Sequence, residues 1–102
     1  METKALGLVE VAGLAPAIET CDIMVKTASV TVVEIENTKG GGYTVIKVEG
    51  DVGAVNAACK AGEAYATGID KLVSVKVIPR PATGTKDFFA KEEFERPVLY
   101  RK

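Results

Sequence analysis

The spacing of apolar residues along this chain switches four times between a period of two and a helical period. "ALGLVEV" (5–11) is dense in apolar and β-branched residues and stops at Ala12-Gly13, which predicts a strand. After Pro16 the pattern becomes helical. Ala17, Cys21, Met24 and Ala28 recur with Ile18 and Val25 beside them, while Glu19, Thr20, Asp22 and Lys26 fall off the stripe. An amphipathic helix over 15–28 follows, with Pro16 in its first turn, where a missing N–H costs little. "SVTVVEIEN" (29–37) and "YTVIKVEG" (43–50) predict two strands, joined as an antiparallel hairpin by a glycine-rich loop. A second helix is predicted over 52–67, with Asp51 offering an N-cap oxygen and Gly68 a left-handed end. Its stripe is Val55, Ala58, Cys59, Gly62 and Ala66. "KLVSVKVI" (71–78) alternates as a last strand, stopped by Pro79-Arg80-Pro81.

The order strand, helix, strand, strand, helix, strand, with each helix apolar on one face only, predicts an α+β fold of the ferredoxin-like βαββαβ kind. One antiparallel four-stranded sheet carries both helices on one face. The small inner residues of the second helix allow close approach to the sheet and leave little room for a ligand cavity. This domain spans residues 1–81. A C-terminal extension, 82–102, differs in composition: it holds Phe88, Phe89 and Phe94, all three phenylalanines of the chain. A short helix over 86–95 and an extended "PVLYRK" are expected there. With Leu99 and Tyr100, these side chains are too apolar to stay in water, so packing on the subunit's own body or on a neighbour is expected.

Composition removes several function classes. Across 102 residues, 13 basic and 14 acidic side chains give a net charge of −1 with no basic block. The electrostatic footprint of a nucleic-acid binder is therefore missing. No apolar run approaches the roughly 20 residues of a membrane span. Glu2 and Glu10 interrupt any apolar run before residue 15, so no signal peptide is read, and the chain is expected to be cytosolic and soluble. Two cysteines do not make a disulfide scaffold. With no histidine, the commonest general base and metal ligand is absent. Cys21 and Cys59 both fall on apolar stripes, where small buried hydrophobes are expected rather than a nucleophile or a metal thiolate. Glu92, Glu93 and Glu95 read as a solvated face. No enzyme activity and no cofactor or metal is expected.

"TKGGGYTVI" (38–46) remains unexplained by this inventory. It is a poor phosphate loop, because Gly42 leads into a strand rather than a helix. Two readings stay open: glycines that only relieve strain in a wide turn, or a loop whose bare backbone must approach something closely.

Five segments stand in an order that resembles a known family. "ALGLVEV-AGLAPAIE", "DIMVKTASV", the glycine loop, "GDVGAVNAACKAG" and "VKVIPRP" are similar, over residues 5–81, to bacterial microcompartment shell proteins of the single-domain hexameric class. The resemblance implies a homohexameric disc that tiles edge to edge with other shell proteins into a polyhedral shell around encapsulated enzymes. It implies that the hairpin loop meets its symmetry mates at a central pore for small polar or anionic metabolites. Lys39, Gly40, Gly41 and Gly42 would then line the pore, and Gly41 stands where other members keep a serine. Lys26, Ser29 and Arg80 would lie at the edge between discs. The implied location is the microcompartment shell in the bacterial cytoplasm, whether carboxysome or catabolic compartment. A competing expectation is a small-molecule-sensing regulatory module, since ferredoxin-like folds often serve as such domains. It would need a pocket with convergent polar groups.

Overall fold

β1 (Lys4–Ala12) carries apolar side chains on both faces, so it needs cover on both sides and neighbours on both edges. It has both neighbours. In this computed structural model, which describes residues 4–38 and 41–80, β1 pairs antiparallel with β3 (Tyr43–Asp51) on one side and β4 (Leu72–Arg80) on the other. β2 (Thr31–Asn37) pairs with β3, which gives the sheet order β2-β3-β1-β4. α1 (Leu14–Thr27) and α2 (Val52–Gly68) connect the strands and pack on a single face. The described body is a slab of 37 × 28 × 15 Å.

The main core lies between that face and the helices. Ala5, Val9 and Val11 of β1 and Ile46 and Val48 of β3 meet Ala17 and Met24 of α1 and Val55, Ala58, Cys59 and Ala66 of α2. The α2 stripe expected from periodicity is the buried face. A separate cluster of Leu6, Leu8, Val45 and Ile78 lies on the opposite face.

α1 turns its predicted stripe to the core, Ala17 and Met24 buried and Cys21 and Ala28 packed beside them, but the residues flanking that stripe are not the expected ones. Thr20 is fully buried, whereas Ile18 is 55% and Val25 39% exposed. The cause lies on the partner helix. A Cβ at Gly62 would come within 2.8 Å of Met24 and 3.2 Å of Thr20, so α1 sets these two side chains against bare α2 backbone. That close approach fixes the rotation of α1 more strongly than the hydrophobicity of Ile18 or Val25. Tyr65 adds a polar tie, its hydroxyl donating to Glu19 at 2.6 Å.

Three local expectations are corrected. Asp51 occupies the N-cap of α2, but its side chain makes no capping bond; it still pairs with Lys4 in the sheet, and the two side chains meet at 3.4 Å. The left-handed residue after α2 is Asp70, at φ 60°, not Gly68, and Lys71 N–H closes the turn on the Ala66 carbonyl at 2.9 Å. Pro79 does not stop the last strand: it pairs with Ala5 within β4. β4 is an edge strand, where a missing N–H need not break a ladder.

Candidate functional site: a glycine hairpin and an exposed lysine

The β2–β3 hairpin is clasped at its base by polar groups. Thr38 donates both its N–H, at 2.9 Å, and its hydroxyl, at 3.0 Å, to the Tyr43 carbonyl. One pair further in, the Thr44 hydroxyl donates to Asn37 Oδ1 at 2.9 Å. Beyond this clasp Gly41 and Gly42 are exposed. Gly42 has φ 73°, which L side chains rarely adopt, and nothing lies within 4 Å of where its Cβ would be. Within the subunit, then, backbone conformation accounts for Gly42, and crowding does not. Lys39 and Gly40 lie outside the described residues.

The other group sits where α1 ends. Lys26, in the last turn, has 72% of its side chain exposed and pairs with Asp22 at 2.9 Å across one helical turn. A cation there also suits the negative end of the helix dipole. Ala28 is extended and caps the helix with its N–H on the Met24 carbonyl. Ser29 follows, exposed, with its carbonyl beside Gly50 of β3. Gly50 pairs with Ala5, and the adjacent row of the sheet is Asp51, Lys4 and Arg80. Ser29 and the Arg80 backbone are thus at one end of the sheet. The glycine loop is at the other, because Tyr43 pairs with Ala12. β3, with nine residues, separates the two groups by about 26 Å.

Nothing in the described residues gathers catalytic groups. No set of three or more Cys, Asp or Glu side chains is placed to hold a metal ion among them. A groove of about 370 Å³ runs between α2 and β4, lined by Cys59, Lys60, Glu63, Val75 and Val77 among others. Burial, with a smaller contribution from the Glu63 charge, pushes the Cys59 thiol up to about 11. The half-buried Cys21 thiol is also raised, by burial and then by Asp22. Neither is a ready thiolate.

The glycine loop thus lies at one end of the strands and the exposed Lys26 at the other. Comparison with known proteins gives the family. The BMC domain model matches residues 5–81. The chain belongs to the BMC domain family. Its matched members are bacterial microcompartment shell proteins. The chain is 51% identical over 81 residues to the shell protein PduK of Citrobacter freundii, covering 79% of this chain and 52% of that protein. It is 48% identical over 91 residues to the shell protein PduA of the same organism, covering 89% and 97% respectively. A crystal structure of a microcompartments protein from Desulfitobacterium hafniense DCB superimposes with a TM-score of 0.71 at 29% identity, covering 85% of this chain and 46% of that one. The chain thus spans about half the length of PduK and nearly all of PduA.

Sequence reasoning missed one polar group on the face opposite α1 and α2. Lys47 is 4% exposed and donates to Glu34 at 3.2 Å and Glu36 at 2.9 Å. Beside it Glu10 is 3% exposed and accepts from the Ser74 hydroxyl at 3.2 Å. The signal was present in β1: apolar residues on both of its faces require cover on both, although the helices cover one.

Proposed function

We propose that this chain is a structural tile of a microcompartment shell, a homohexameric disc with a central pore, and not an enzyme. The observation that carries the reading is the placement of the glycine hairpin and the Lys26–Ser29–Arg80 group at opposite ends of β3. Around a six-fold axis such a subunit turns its loop inward and the Lys26 end outward. Gly40, Gly41 and Gly42 then wall a pore with backbone, and Lys39 adds a ring of ammonium groups that favours anionic or strongly polar metabolites. No cofactor enters this role.

At the outer edge a disc meets its neighbour about a two-fold axis, so Lys26 faces a copy of itself. Its present bond to Asp22 is exposed on both sides and contributes at most about 1 kcal/mol. The side chain can therefore exchange that partner for carbonyls of the next disc, laying its apolar stem along the contact. Arg80 joins this edge in the same reading, its backbone lying at the same end of the sheet. Encapsulated enzymes and other shell proteins are the partners of this reading.

The test is Lys26→Asp, followed by size-exclusion chromatography and electron microscopy. Folded hexamers with no extended sheets are expected, and Arg80→Ala should weaken sheets less. Sheets like those of the unaltered protein would overturn the edge assignment. Loss of the hexamer itself would place Lys26 inside the disc.

A further inference from the structure

The face of the sheet opposite the helices has its own core and no described element over it. Leu6, Leu8, Val45 and Ile78 form a cluster there, at 1%, 4%, 2% and 7% exposure. Glu10 stands in the same layer of β1, and its Oε2 is buried without a hydrogen-bond partner among the described residues. A buried carboxylate oxygen left without a donor is costly, so this layer is complete only when an apolar segment carrying N–H donors lies across it.

We infer that the occupant is the chain's own C-terminal segment, residues 82–102, seated across the helix-free face of the same subunit. Three observations favour it over a second copy. β4 delivers the chain to this place: Ile78 belongs to the cluster, and the segment begins four residues later. Its length suffices, since 21 residues reach about 70 Å when extended, against 37 Å for the longest dimension of the body. Its composition also fits. Phe88, Phe89, Phe94, Leu99 and Tyr100 match the apolar cluster, and Lys86, Lys91, Arg96, Arg101 and Lys102 bring donors to a face that carries Glu10, Glu34 and Glu36. Lys47 already satisfies Glu34 and Glu36, which leaves Glu10 as the buried acceptor awaiting a donor. The inference does not depend on the hexamer or the pore.

Site-specific photocrosslinking tests it in the full chain. With p-benzoylphenylalanine in place of Phe89, and separately of Phe94, irradiation should join the label to peptides holding Leu6, Leu8, Val45 or Ile78, in a band of monomer mass. Adducts on α1 or α2, adducts only in bands of dimer mass, or no adduct with either label would each overturn it. Dimer bands would assign the segment to a neighbouring copy. Truncation after Thr83 provides the second measurement. It should lower the melting temperature by about 5 °C or more and raise binding of a dye that reports exposed apolar surface several-fold. An unchanged melting curve without dye binding would also overturn the inference.

Discussion

α1 and α2 lie on the same face of the same sheet and meet the rest of the molecule differently. α2 buries Val55 and four smaller residues on one stripe and fully exposes only polar, alanine and glycine positions. α1 buries a threonine and a methionine and leaves Leu14, Ile18 and Val25 outside. The difference follows from the contact between them. Gly62 removes a side chain from α2 where α1 crosses, so α1 is held by fit, and its leftover apolar positions stay at the surface of the subunit. One helix is spent on the core; the other also leaves apolar side chains outside it.

The strongest way to break this contrast is to fill the gap. Gly62→Val would push Met24 and Thr20 out of a packed layer and should cost about 3 kcal/mol in denaturant unfolding. Ile18→Ala, on the exposed side of α1, should change subunit stability by less than about 0.5 kcal/mol. Equal effects would mean that the helix contact does not set the rotation of α1.

The cysteines sharpen the contrast through pH. Cys59 on α2 is held up at about 11 from an ordinary value of 9.0, so between those values the unfolded thiol ionises while the folded one keeps its proton. The stability it contributes is whole below about pH 9 and falls as pH rises towards 11. The stability difference between the unaltered protein and Cys59→Ala should shrink by about 2 kcal/mol between roughly pH 8 and 11. A constant difference would show that Cys59 is more exposed than its packing indicates.

A smaller gain comes from Thr20. Its hydroxyl is buried without a partner among the described residues. Thr20→Val keeps the shape and removes the orphaned group, and should raise stability by about 1 kcal/mol in the same unfolding experiment. A loss of stability would mean that a bound water satisfies the hydroxyl.

These residues also show what could be read from the sequence. The element order, the sheet and the α2 stripe were legible because each rests on a repeated local pattern. Thr20 was not, since its burial depends on a glycine 42 positions away, and hydrophobicity alone ranks Ile18 and Val25 above it. Asp51 carried a valid capping signal that strand pairing with Lys4 overrode. Of the candidate site, the glycine loop and the exposure of Lys26 could be read from residue types. That Ser29 and Arg80 share one end of the sheet needed the register. The buried Lys47 and Glu10 could not be inferred while β1 was read only as apolar.

The sheet order has a consequence for synthesis of the chain. β1 and β2 precede β3 in the chain, yet β3 lies between them, and β4 closes the far side of β1. Neither β1 with β2 nor β3 with β4 makes a pair, so the first two strands and the last two interleave like fingers. While a ribosome is still making the chain, β1 lacks one neighbour until β3 emerges and the other until Arg80 does. Contacts this distant in sequence form late and slowly. A chain terminated before Arg80 therefore lacks the completed sheet.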